Sequence, residues 1–165
     1  MKLKTLFFIT AVMAGSSSFA QAFKAKGDQK FQVGINVQEN GTGINATYDY
    51  GLGSNISLGL ASSYLLNVED YIDADFIDRI DVKGRFNAHL GDVIGLPPAM
   101  DIYPGLNLSF KNFGGHTGVR YFFTEGFGLY SEISFPIAYY DTGNLSPAEE
   151  LHNQFVFTGG VSFNF

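Results

Sequence analysis

Between Arg79 and Leu90 the chain alternates without a break. Ile80, Val82, Gly84, Phe86, Ala88 and Leu90 interleave with Arg79, Asp81, Lys83, Arg85, Asn87 and His89. Successive side chains of a β-strand point to opposite faces, so this period of two predicts a strand with one apolar and one polar face. Ordinary strands run to about five or six residues, and this one is about twice that.

The same pattern recurs from Lys30 to the end of the chain. The outward sets are Phe31, Val33, Ile35, Val37; Ile44, Ala46, Tyr48, Tyr50; and Ile56, Leu58, Leu60, Tyr64, Leu66 before the run above. After it come Met100, Ile102, Pro104, Leu106, Leu108, Phe110; Thr117, Val119, Tyr121, Phe123; Phe127, Leu129, Ile133, Phe135, Ile137, Tyr139; and Phe155, Phe157, Gly159, Val161, Phe163, Phe165. Turn signals separate them: NGTG at 40–43, GLGSN at 51–55, GDVIGLPPA at 91–99, NFGG at 112–115 and TEG at 124–126. Two connections are longer, an acidic one at 67–78 and one at 141–153, where Ser146-Pro147-Ala148-Glu149 predicts a single capped helical turn. Eight runs predict an all-β fold, an eight-stranded antiparallel up-and-down barrel over residues 30–165. Pro104 and Pro136 fall inside runs and each removes a ladder donor, so they require bulges or strand ends.

The first twenty residues read as a secretory signal peptide. Lys2 and Lys4 give a basic start, Thr5 to Gly15 an apolar core, and Ser18 and Ala20 the small residues of a cut before Gln21. A cut after Ala22 is the alternative. Residues 21–29 would then form a short N-terminal periplasmic segment. Removing residues 1–20 takes out two lysines and no acid, moving the formal net charge from −6 to −8. An acidic surface repels phosphate backbones, which argues against a nucleic-acid partner. There is no Cys, so neither a disulfide nor a lipoprotein anchor is available.

Alternation alone does not say which face points inward. Three features favour a membrane barrel, with its apolar face toward lipid. About ten residues per strand, at about 3.3 Å each and tilted about 45°, rise about 23 Å, which matches the apolar band of such barrels. Aromatic residues gather at the two ends of the apolar face, with Phe31, Tyr48, Tyr50, Phe123, Phe127, Phe163 and Phe165 at one rim. Tyr64, Phe110, Tyr139, Phe155 and Phe157 take the other. The strand number is even, and with both termini periplasmic the outer loops are 40–43, 67–78, 112–115 and 141–153.

The chain ends in VSFNF. A terminal aromatic preceded by apolar residues at alternate positions, here Val161, Phe163 and Phe165, resembles the assembly signal of outer-membrane barrel proteins. With the export signal, the whole mature chain resembles the small OmpA/OmpX-type barrels. The stretches AFKAKGDQKFQVG, YDYGLGSNISLGLASSYLL and YPGLNLSFKNFGGHTGVRYFF are more closely similar to uncharacterised short barrel proteins of Bacteroidetes. The resemblance implies outer-membrane lipid and the barrel-assembly machinery as partners, and a monomer. It implies no chemistry.

The inward set is charged: Lys30, Asp49, Arg79, Asp81, Lys83, Arg85, Asp101, Lys111, Arg120 and Glu132. Buried charges must be paired, so the expectation is a lumen charge network centred on Arg79, Asp81, Lys83, Arg85, Arg120 and Glu132. Such a network plugs the barrel, or, through a switchable pair such as Arg120 with Glu132, gates a narrow pore. Glu69, Asp70, Asp73, Asp75 and Asp78 offer carboxylates to a divalent cation, but without the EF-hand pattern the reading is a solvated loop. His116 is expected inward, His152 in the last loop near Ser146 and Asp141, and His89 inward toward the periplasmic end. No P-loop, GxGxxG, HExxH or GxSxG occurs, so no catalytic residue, metal or cofactor is assigned. The leading reading is a non-enzymatic outer-membrane barrel acting through its outer loops. A narrow pore and a soluble exported barrel holding an apolar ligand remain as alternatives.

Overall fold

A computed structural model describes residues 20–69, 72–140, 143 and 146–165. Residues 1–19 of the segment read as a signal peptide (1–20), Asp70 and Asp141 fall outside these residues. Eight strands follow one another: β1 Gln29–Gln38, β2 Gly41–Gly51, β3 Ile56–Val68, β4 Ile80–Ala88, β5 Met100–Ser109, β6 Asn112–Phe122, β7 Phe127–Tyr139 and β8 Val156–Asn164. Each pairs antiparallel with the next, and β8 pairs with β1, closing the barrel. The expected up-and-down topology is therefore the observed one. The start of β1 and the end of β8 lie at one end, here the terminal end; the opposite end is the loop end.

The faces follow the alternation. Ile35, Leu60, Val82, Leu108 and Leu129 are exposed on the outside, while Lys30, Gln32, Asp49, Arg85, Tyr103, Arg120 and Glu132 are buried within. The barrel is thus polar inside and apolar outside, the reverse of a soluble globular domain. The apolar outer face would be covered by hydrocarbon in a bilayer. Aromatic neighbours form a band at the terminal end. Phe31 lies in register with Tyr48 on β2 and Phe163 on β8, and the Phe127 and Phe163 rings are 5.8 Å apart.

Small residues make room for the large ones. A Cβ on Gly118 would lie 2.3 Å from the Tyr103 ring, and one on Gly34 would lie 2.6 Å from the Tyr130 hydroxyl oxygen. Glycine opposite tyrosine lets the lumen fill with side chains at the diameter eight strands impose.

Both prolines sit where one neighbouring ladder has ended. β5 pairs with β4 only over Gly105–Ser109, so Pro104 lies just beyond that ladder while still in register with Thr117 of β6. The β7–β8 ladder stops at Ser134, before Pro136, and the β6–β7 register shifts between Phe113 and Gly114, next to Pro136. The missing amide donors therefore break no continuous ladder.

Two turns differ from the sequence reading. The β1–β2 turn is Glu39–Asn40 and the β5–β6 turn is Phe110–Lys111, so Gly41, Gly43 and Gly114 belong to strands. The glycines signalled a turn, but what they provide is close strand approach. A Cβ on Gly43 would fall 2.1 Å from the Tyr64 carbonyl oxygen. The helical turn expected at 146–149 is displaced downstream to a 3-10 turn at Glu149–His152, entered through a bond from the Glu150 N–H to the Ser146 carbonyl. A four-residue helix α1, Phe76–Arg79, interrupts the acidic connection, with the Asp78 carboxylate accepting the Asp75 N–H at 3.0 Å.

Candidate functional site: the lumen

The lumen is organised in three levels. At mid-height, Asp49, Gly59 and Arg85 occupy one register row across β2, β3 and β4. Because Gly59 has no side chain, the Asp49 carboxylate leans over it and comes within 3.3 Å of Arg85 Nε. The same guanidinium reaches across the barrel to β7, where Nη2 donates to Glu132 Oε2 at 2.7 Å. One cation is thus shared by two anions. The Asp49 oxygens accept no hydrogen bond from another protein group, so the attraction there is Coulombic rather than a formed bond.

From this level a hydrogen-bonded chain descends to the terminal end. His116 Nε2 donates to Asn87 Oδ1 at 2.7 Å, and Asn87 Nδ2 donates to Ser57 Oγ at 2.9 Å. Ser57 donates to His89 Nε2 at 2.8 Å, and His89 Nδ1 donates to Asp101 Oδ2 at 2.7 Å. The two ring tautomers are the ones that give each of these four bonds one donor and one acceptor. Arg120, in register with Asp101 across the β5–β6 ladder, donates to the same carboxylate at 2.9 Å, its guanidinium carbon 4.7 Å from the Tyr103 ring centre. Ser57, His89 and Asp101 have the distances of a nucleophilic triad. Ser57 is only 1 % exposed, and its oxygen also accepts from Asn87. With its proton and a lone pair engaged inside a filled lumen, a carbonyl carbon has no approach to it. The constellation forms a buried hydrogen-bonded column.

Above mid-height lies a polar chamber of about 40 Å³ open to water-sized molecules, lined by Asn36, Asp81, Lys83, Asn107, Glu132 and Thr158 among others. It has room for about three waters. Asp81 pairs with Lys83 at 3.2 Å.

At the loop end the described parts of the two long connections pack together as a cover. Leu65 and Val68 of β3 pack with Ile72, Ala148 and Leu151 into an apolar cluster. Gln38 donates to the Leu151 carbonyl, Asn112 Nδ2 to the His152 carbonyl at 2.8 Å, and His152 Nε2 to the Asp78 carbonyl at 2.6 Å. Lys111 Nζ donates to the carbonyls of Ile77 and Ile80, at 3.0 and 2.9 Å. The two long connections are therefore locked together over the mouth.

Burial first, then the charge of Lys111, pushes the His152 imidazole down to about 4. Its ordinary value is 6.5, so an undocked cover takes up a proton as pH falls through that value while the docked cover does not. Docking should weaken progressively as pH falls from 6.5 to about 4, with no further loss below. A polarity-sensitive dye on Pro147→Cys should report the change in that window, and His152→Gln should flatten it. A wild-type signal constant across the window would contradict the coupling.

The sequence-assigned charges are distributed as follows. Asp81 and Lys83 line the chamber, Arg85 and Glu132 form the central pair, and Arg120 belongs to the terminal cluster with Asp101. Arg120 and Glu132, put forward as a switchable pair, have separate partners. Arg79 does not join the lumen group. It sits in α1, and its Nε donates to the Ala74 carbonyl at 3.1 Å, because the strand begins one residue later than its alternation. Lys111 faces the rim carbonyls rather than a lumen anion. Among the described residues, no group of three His, Asp or Glu is placed to hold a metal. The cover residues went unassigned from sequence, yet Leu65 carried a signal, an apolar residue on the inward parity of β3.

At the opposite rim, Phe163 lies in the aromatic band, Val161 is in register with Val33 and Leu129, and Phe165 is exposed, its N–H bonded to the Gln29 carbonyl at 3.1 Å.

A closed ring of eight long antiparallel strands, apolar outside and filled with polar side chains, is the fold of small transmembrane β-barrels. Solved structures bear this out. A de novo designed transmembrane β-barrel superposes with a TM-score of 0.57 at 10% identity, covering 86% of this chain and 98% of that one. The N-terminal β-barrel domain of Pseudomonas aeruginosa OprF gives 0.58 at 13%, covering 86% and 100%. The chain belongs to the family of unknown function DUF6646, whose model matches residues 13–165. No curated protein matches it.

Proposed function

We propose that this protein is a non-enzymatic outer-membrane barrel with a plugged lumen, acting in envelope structure or surface interaction through the connections at 67–78 and 141–153. In this reading the signal peptide is cleaved before Gln21, both termini are periplasmic, and the chain is a monomer in outer-membrane lipid. The barrel-assembly machinery would read Val161, Phe163 and Phe165. The observation that carries the proposal is the packing of paired polar side chains across the lumen. The Arg85–Glu132 bridge spans it, the chamber above admits only a few waters, and the locked connections cover the mouth. A solute path is closed at two levels, and the surface left to meet a partner is the cover itself. An apolar ligand has no apolar interior to enter, which disfavours the soluble alternative.

Planar-bilayer recordings of the refolded protein test the reading. Steady single-channel conductance would replace it with the narrow pore, while an absence of ion flux is expected. Recovery of the mature chain in the soluble periplasmic fraction would overturn the membrane assignment.

A further inference from the structure

The segment before β1 does not hang free of the barrel. Ala22 is fully buried and Phe23 is 7 % exposed. The Phe23 ring stacks on the His89 imidazole, centroids 3.6 Å apart and planes 15° from parallel. The Ala22 N–H donates to the Pro98 carbonyl at 2.7 Å, and Ala20 and Ala22 pack on Phe122 inside the terminal mouth, beside Ala99. The chain reaches this position by reversing direction. Ala25 and Gly27 both have positive φ, 74° and 88°, a conformation that strains a non-glycine residue unless its surroundings hold it. They do: Gly27 N–H donates to the Gly51 carbonyl and Gly51 N–H to the Asp28 carbonyl, both at 2.8 Å. Asp28 is buried beside the Lys30 ammonium, which also donates to Asn164 of β8 at 2.9 Å.

The barrel does not need this segment to close. The β1–β8 ladder begins at Lys30, and the ring of eight strands contains no residue before Gln29. Directly beneath Phe23 begins the polar column His89–Ser57–Asn87–His116, which leads to the chamber. A folded-back aromatic residue sits on the one end of that column that the loop-end cover does not protect.

We propose that residues 21–28 are a strap that seals the lumen from the terminal end, with Phe23 on His89 as its latch, and that their contribution is closure rather than barrel stability. The strap would then close the terminal end of the column, while the chamber lies at its far end. This goes beyond the proposed loop function and does not depend on it: lumen access is read here, and ion flux and fractionation test the other.

The chain has no cysteine, so single reporters can be placed cleanly. Ser57→Cys lies under the latch, and Ser63→Cys lines the chamber near the cover. Each is introduced into the full mature protein, into Phe23→Ala, and into a form lacking residues 21–28. A small water-soluble methanethiosulfonate measures access, and heat-modifiable gel migration confirms that the barrel is folded. With the strap intact, the cysteine at 57 should react slowly. Phe23→Ala should raise its rate about tenfold and the deletion further, with position 63 unchanged and the barrel still heat-modifiable. Three outcomes overturn the proposal. One is equal rates at 57 with and without the latch. Another is a parallel rise at 63, which marks general loosening. The third is loss of heat-modifiable migration in both Phe23→Ala and the deletion, which makes the segment part of the barrel's stability.

Discussion

Replacing Arg85 with Met is expected to destabilise the folded barrel by about 3–5 kcal/mol, among the largest effects of any single substitution. Arg85 is 4 % exposed and is the shared partner of Glu132 and Asp49. Its loss leaves two carboxylates inside a filled lumen with no compensating cation. Burying an unpaired charge costs far more than an exposed ion pair contributes. Arg85→Lys should recover less than half of the loss. An ammonium is a point charge on a flexible stem, and it cannot present one nitrogen to β7 and another to β2 at once. Combining Arg85→Met with Glu132→Gln and Asp49→Asn should be milder than Arg85→Met alone, because the stranded charges are gone. Urea unfolding of the protein refolded in lipid vesicles measures all three. A loss under about 1 kcal/mol for Arg85→Met would mean that water screens the lumen, and the plugged interior would have to be abandoned.

The second large effect lies on the other face. Leu60 is 61 % exposed near the middle of β3, in register with Tyr48 on one side and Gly84 on the other. In a soluble barrel, Arg at such an outward position would change stability by no more than about 0.5 kcal/mol. In a bilayer its charge falls within hydrocarbon, and the expected cost is about 2–4 kcal/mol. The effect should depend on depth. Leu52→Arg, in the turn between β2 and β3 and also exposed, should cost about 0–1 kcal/mol, since its side chain reaches the interface. The same vesicle unfolding reads both variants. Equal small effects at 60 and 52 would contradict a lipid-facing surface.

The two substitutions probe the two faces that the alternation defines, and those faces were legible in the sequence. The period of two is a property of the strand backbone itself, so it survives without knowledge of any neighbour. It gave the eight strands, their outward sets and the inward positions of Asp49, Arg85, Arg120 and Glu132. Turn signals were less reliable. Glycine marks both a turn and a close approach of strands, and at Gly43 and Gly114 the second meaning applied.

Partner choice across the lumen was not legible. Which inward residues meet depends on the stagger accumulated around eight ladders, including the register shifts at Thr42/Gly43 and Phe113/Gly114. A shift of one residue on any strand changes the height of every side chain it carries. Arg120 and Glu132 lie on adjacent strands, and sequence made them plausible partners. Register instead sets Arg120 opposite Asp101, and Gly59 lets Asp49 turn to Arg85.

The closures were hidden for a related reason. The cover and the strap are irregular segments whose positions come from contacts with distant residues, Leu151 with Leu65 and Phe23 with His89, and no local periodicity announces them. By itself the sequence determined a ring of two-faced strands, because alternation is written into each strand separately. Only the tertiary structure decided which residues pair across the ring and which segments pack at its ends, because those properties belong to pairs of residues brought to the same height by the closing of the barrel.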